Sequence, residues 1–76
     1  MDTDNLVRMA NRIGEFFAAM PDHQEAVDGI VTHLRKFWEP RMRRELLQHV
    51  DEAGTAGLHP LVAEAVQAGR ETLRPA

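Results

Sequence analysis

The residues of this chain that could carry chemistry are four histidines and a cluster of arginines. No two histidines are separated by three or four residues, the spacing with which a helix presents two ligands to one metal ion. The chain contains no Cys, which removes the other common zinc ligand. We therefore expect no metal site and interpret the histidines as surface or corner residues: His23, His33, His49 and His59.

The composition also disfavours nucleophilic catalysis. Without Cys, Ser or Tyr there can be neither a thiolate nucleophile nor a Ser-His-Asp triad. The turn Gly54-Thr55-Ala56-Gly57 is not a phosphate loop, because no Gly-Lys-Ser or Gly-Lys-Thr follows it. A helical chain this small is not expected to contain a deep substrate pocket of about 300 Å³ or more. We expect no catalytic residue, no bound cofactor and no independent enzyme activity.

A cluster of aromatic and cationic residues is the strongest functional signal. Five of the nine Lys and Arg residues lie between Arg35 and Arg44, around the adjacent aromatics Phe37 and Trp38. Trp and Arg are enriched among the residues that dominate binding energy at protein interfaces. We therefore interpret the cluster as a partner-binding surface. Two alternatives stay open, a solvated charge cluster beside a Trp that closes the core, and a phosphate- or nucleic-acid-binding patch. The net charge of −3 argues against nonspecific nucleic-acid binding.

Helical periodicity predicts the elements that carry these residues. In the first segment, apolar residues recur at steps of three and four, and Pro21 then ends the helix. Pro40 and Pro60 each stand where a proline favours the first turn of a new helix. Period-two runs of β-branched residues are absent, so no strand is expected. The sequence predicts a single all-α domain, a small three- to four-helix bundle with helices at about 4–20, 22–38, 40–53 and 60–72.

Two features of these helices lead to packing predictions. Ala10, Gly14 and Ala18 form a ridge of small residues, which indicates either close packing of the first helix on the second or a groove for a partner's helix. In the third helix, the apolar stripe excludes the arginines, so we expect that the fold does not need Arg41, Arg43 or Arg44. The apolar face of the first helix is broad, and part of it should be exposed unless a partner covers it.

The length of 76 residues fits one modest core, which hides only about 60% of the surface of the unfolded chain. Such a small domain is often stabilised by a partner. The lack of Cys fits a reducing compartment. The N-terminus is acidic rather than basic and apolar, and no apolar stretch approaches the ~20 residues of a membrane span. The expectation is a soluble cytoplasmic protein.

Three blocks of the sequence carry a family resemblance: residues 9–17 (MANRIGEFF), residues 33–43 (HLRKFWEPRMR) and residues 57–62 (GLHPLV). In order and spacing they resemble the delta subunit of NAD-dependent molybdenum formate dehydrogenases, over roughly residues 4 to 66. The central block is the most specific of the three. His59 departs from the pattern, because it stands where the family has a small residue, typically Ser, that caps the following helix.

The resemblance implies a role as a non-catalytic accessory subunit. The parent complex oxidises formate to CO2 at a molybdenum centre and passes electrons through iron–sulfur clusters and a flavin to NAD+. The implied partner is the molybdenum-containing alpha subunit, with the iron–sulfur and flavin subunits in the same complex. The delta subunit would carry no cofactor, and would support assembly, stability or cofactor retention of the alpha subunit.

On this hypothesis, the corner between the second and third helices and one face of the first helix contact the partner. The candidate partner-binding residues are Phe37, Trp38, Pro40, Arg41, Arg43, Arg44, Asn11, Phe16 and Phe17. Two other functions stay open: a homo-oligomer in which the isolated chain pairs through its first helix, and a small helical nucleic-acid-binding module. The leading hypothesis predicts neither nucleic-acid nor membrane binding.

Overall fold

Residues 2–76 of the protein are described here from a computed structural model, and the elements that they form are helices alone. In chain order the helices are α1 (Thr3–Phe17), α2 (His23–Phe37), α3 (Pro40–Ala53), α4 (Pro60–Ala68) and the single-turn α5 (Arg70–Leu73). No strand occurs in the described part of the chain. The all-α prediction is confirmed.

Local sequence signals explain where most of these helices begin. The Asp22 side chain accepts a hydrogen bond from the backbone N–H of Glu25 (3.0 Å), which caps α2. Pro40 and Pro60 occupy the first turns of α3 and α4, where a missing N–H costs nothing. Two boundaries differ from the predicted ranges, since α1 ends at Phe17 and the last helical stretch is interrupted at Gly69.

All five helices contribute to one hydrophobic core. The helix α2 lies centrally and packs against α1, α4 and α5, while α3 contacts α1 and α5. The buried core residues are Leu6, Ala10, Val27, Ile30, Leu34, Trp38, Leu46, Leu47, Leu58, Val62, Ala65, Val66 and Leu73. Because these residues come from every element, the helices position one another and thereby fix the surface described below.

Two glycines allow α1 to approach its neighbours closely. A Cβ atom at Gly14 would lie 2.7 Å from the side chain of Val62 and 3.0 Å from that of His59, so this position packs on the start of α4. A Cβ atom at Gly29 would lie 2.5 Å from the ring of Phe17, so Gly29 makes room for the contact between α1 and α2. The predicted ridge is therefore corrected in part: Gly14 faces α4 rather than α2, and Ala18 is exposed.

Candidate partner-binding surface

The structure separates the nine candidate residues by exposure. Trp38 and Arg43 are buried, with 6% and 7% of their surfaces exposed. Asn11 and Phe17 are half-buried. The remaining five are exposed and are available to a partner: Phe16, Phe37, Pro40, Arg41 and Arg44. The two helices at the corner therefore present only part of the predicted cluster to solvent.

The buried pair, Trp38 and Arg43, ties the corner to the end of the chain. Trp38 belongs to the hydrophobic core. The Arg43 guanidinium donates from Nε to the carbonyl of Trp38 (3.3 Å) and from Nη1 to the carbonyl of Leu73 (3.1 Å). These bonds connect α3 with the corner before it and with α5. The expectation that the fold does not need Arg43 is wrong, because its side chain lies inside the fold and satisfies two backbone acceptors.

An aromatic strip formed by Phe16, Phe17, His33 and Phe37 runs across α1 and α2. Ring centroids are 5.2 Å apart for Phe16 and Phe17, 6.2 Å for Phe17 and His33, and 4.9 Å for His33 and Phe37. Phe16 and Phe37, at its two ends, are 74% and 71% exposed and are the large apolar side chains that the described chain leaves in water. Sequence analysis selected the three phenylalanines, but not His33, which joins them.

Local packing holds the strip in place. Phe17 lies over Gly29, where the missing side chain on α2 admits the ring. His33 and Phe37 are one helical turn apart on α2, which places their rings on the same side of that helix. Phe16 stands edge-on to Phe17, with an angle of 87° between the ring planes. The exposed ends of the strip are thus anchored through partly buried central rings.

Arg41 and Arg44 are both exposed on the first turns of α3. Their i, i+3 spacing places them on one side of that helix. Neither arginine makes an ion pair within residues 2–76. Each guanidinium is therefore free to bind a carboxylate of another molecule through two parallel hydrogen bonds.

Asn11 has an internal role that sequence analysis missed. Its Nδ2 donates to the carbonyl of Gly57 (2.8 Å), and its Oδ1 accepts from the backbone N–H of His59 (2.8 Å). His59 in turn caps α4, because its Nδ1 accepts from the N–H of Leu61 (3.1 Å). His59 therefore supplies the cap that a small residue provides in the family pattern. One amide can serve both a donor and an acceptor, but no local motif marks this role, because the two partners of Asn11 are 46 and 48 residues away in the sequence.

The described residues offer little that resembles an enzyme site. Within residues 2–76, no group of three or more His, Asp or Glu side chains could hold a metal ion. Two open grooves of about 540 and 400 Å³ lie along the C-terminal segment. Their volumes exceed the roughly 300 Å³ of a typical substrate pocket, but both are open surface grooves rather than deep pockets.

Among the described residues, no helix has the length and apolar character needed to cross a membrane.

The structure thus defines a small helical domain with an exposed aromatic strip on α1 and α2 and two exposed arginines at the start of α3. Residues 5–66 match the family model of the NADH-dependent formate dehydrogenase delta subunit, FdsD. The chain belongs to this family. The match includes all three blocks that carry the resemblance, so the family inferred from the sequence is confirmed. Neither a curated protein nor a solved structure matches the chain.

Proposed function

We propose that this protein is a non-catalytic accessory subunit that docks on the molybdenum-containing alpha subunit of a cytoplasmic NAD-dependent formate dehydrogenase. There it supports the assembly, stability or cofactor retention of the alpha subunit, in a complex that also contains iron–sulfur and flavin subunits. Membership of the delta-subunit family is the observation that carries this proposal. The exposed aromatic strip supports it, because the folded chain leaves these large apolar rings in water.

The aromatic strip is the proposed anchor of the interface. Moving a phenylalanine fully from water into a packed interface contributes about 2 kcal/mol, and Phe16 and Phe37 are both mostly exposed. Their neighbours Phe17 and His33 hold them in place before binding, so little conformational entropy is lost on docking. A partner with an apolar pocket or groove would bury both ends of the strip together.

Arg41 and Arg44 are the proposed polar rim of the interface, at the edge of the surface that contacts the alpha subunit. Both are exposed and lack an internal carboxylate partner within residues 2–76. Acidic side chains on the alpha subunit would pair with them and fix the orientation of the docked chain. Arg43 and Trp38, which sequence analysis placed in the same surface, would act indirectly by holding the corner between α2 and α3.

Co-purification from the native host tests the proposal. The tagged chain should bring down the molybdenum subunit, and deletion of its gene should lower formate oxidation in cells while transcription of the other subunits is unchanged. The purified chain alone should contain no stoichiometric metal. Recovery of the chain without the molybdenum subunit, together with unaltered formate oxidation in the deletion strain, would contradict the proposal.

Self-association is the second candidate, and the same exposed aromatic strip favours it. In a dimer, the aromatic strip of each copy would cover Phe16 and Phe37 of the other copy. Sedimentation of the isolated chain distinguishes the candidates: a stable dimer that persists in the presence of the molybdenum subunit supports self-association, and a monomer that joins the complex supports docking.

A further inference from the structure

A basic groove of about 540 Å³ lies between the corner that joins α2 to α3 and the C-terminal segment. We name it the arginine groove. Arg35 comes from α2, Arg43 from α3 and Arg74 from the residues after α5, and Glu71 is the acidic side chain in its lining. Its walls thus bring together cations from three separate parts of the sequence. The docking proposal does not use this groove.

The unusual member of the arginine groove is Arg43, because it is a buried charge without a counterion. Only 7% of its surface is exposed. Its two hydrogen bonds go to the neutral carbonyls of Trp38 and Leu73, and it makes no ion pair within residues 2–76. A charge removed from water is stabilised only when an opposite charge or a full set of hydrogen bonds compensates for the lost hydration. Its Nη2 makes no hydrogen bond among residues 2–76 and stays in contact with solvent, so it is available to a ligand in the groove.

The acidic side chain in the lining of the groove is not paired with Arg43. The Oε1 atom of Glu71 lies 3.4 Å from Nη1 of Arg74, so Glu71 forms an ion pair with Arg74. Arg35 is exposed and makes no ion pair among the described residues. Two of the three guanidinium groups in the lining therefore have no acidic side-chain partner among residues 2–76, and an anion that entered the groove would meet both.

We propose that the arginine groove binds a phosphate group of a small molecule. Guanidinium groups bind phosphate through paired hydrogen bonds, and more donors are available here than the two oxygens of one carboxylate can accept. A phosphate presents three terminal oxygens and carries close to two negative charges at neutral pH. The free donors of Arg43 would meet it at the base of the groove, and Arg35 and Arg74 would close around it from the rim.

The test is a titration of the isolated full chain at constant ionic strength. The ligands are inorganic phosphate and pyrophosphate, and glutarate serves as the carboxylate control. Binding is followed by the NMR signals of the arginine Nε–H groups. Arg43 should shift on addition of phosphate or pyrophosphate. Tighter binding of pyrophosphate would identify a diphosphate ester as the natural group, and equal binding would identify a monophosphate.

Variants make the assignment specific. Arg35→Gln with Arg74→Gln removes two exposed rim cations and leaves Arg43 and its fold contacts in place, so affinity should fall by about tenfold or more. Arg8→Gln with Arg12→Gln, two exposed positions on α1, changes the net charge equally and should leave affinity within about twofold. The proposal is overturned if Arg43 does not shift at millimolar phosphate, if both double variants weaken binding equally, or if glutarate binds as tightly as phosphate.

Discussion

At the scale of single residues, Asn11 shows how much one half-buried amide can organise. It joins α1 to the turn before α4 through the carbonyl of Gly57 and the N–H of His59. Replacement by Ala would leave the part-buried N–H of His59 without its acceptor, at a cost of about 1–3 kcal/mol, and would leave the exposed carbonyl of Gly57 to water. We expect Asn11→Ala to lower the melting temperature in thermal unfolding followed by circular dichroism.

Asn11→Asp is the matched control for this prediction. The carboxylate keeps an acceptor for the N–H of His59 and loses the donor to Gly57, so its loss of stability should be smaller than that of Asn11→Ala. Equal melting temperatures for the wild type and Asn11→Ala would show that water replaces the amide without penalty, and that the link between α1 and the turn does not stabilise the fold.

Arg41 and Arg44 provide a test of the polar rim. Because both are exposed and unpaired within residues 2–76, Arg41→Glu with Arg44→Glu should change the free energy of unfolding by about 0.5 kcal/mol or less. The same variant should lose co-purification with the molybdenum subunit, since like charges that face each other across an interface cost several kcal/mol, on the order of a hundredfold or more in affinity.

The control for the variant at Arg41 and Arg44 is Arg8→Glu, which reverses an exposed charge near the start of α1. It should retain the partner, whereas Arg41→Glu alone should already weaken binding. If the double variant at Arg41 and Arg44 binds the partner normally, these arginines form a solvated charge cluster and the rim is not part of the interface.

At the scale of elements, α1 approaches the start of α4 closely at Gly14. A side chain there would collide with Val62 and His59, and overpacking of this kind typically costs about 1–3 kcal/mol. Gly14→Leu should therefore lower the melting temperature strongly. Ala18→Leu, at the exposed residue that follows α1, adds comparable bulk and should leave stability nearly unchanged. Equal melting temperatures for the two variants would show that α1 can move away from α4 at little cost.

The elements were largely predictable because their signals are local. Asp22, Pro40 and Pro60 mark helix starts through backbone chemistry that needs no tertiary information. Gly14 shows the limit of such signals, since periodicity identifies the buried face of a helix but does not identify the neighbour that covers it. The same limit applies to Arg43, whose acceptor at Leu73 is 30 residues away in the sequence.

The candidate surface was predictable only in part, for the same reason. Phe16 and Phe37 were selected as apolar and aromatic residues, but their high exposure depends on which sides of α1 and α2 the core uses. His33 enters the aromatic strip because packing brings α1 and α2 together, and no local motif marks it. Trp38 carries the same interface signal in sequence as Phe37, yet the corner turns its indole into the core.

At the scale of the whole molecule, the fold combines a small core with an incompletely covered surface. The described chain measures 31 × 25 × 18 Å, so most residues lie near water. A domain of this size buries only about 60% of the surface of its unfolded chain and gains further stability from a partner that binds the folded state. An exposed aromatic strip is consistent with a chain that is completed by docking, and this is the central claim about the protein.

The most direct test of that claim is quantitative co-purification of the molybdenum subunit with Phe16→Ala and Phe37→Ala combined. Both rings are mostly exposed, so the variant should keep the helicity and melting temperature of the wild type. Losing two anchors of about 2 kcal/mol each should weaken docking by on the order of a hundredfold or more. Gln67→Ala with Glu52→Ala, two exposed positions elsewhere, should retain the partner. If the double phenylalanine variant recovers as much molybdenum subunit as the wild type, the aromatic strip is not the docking surface.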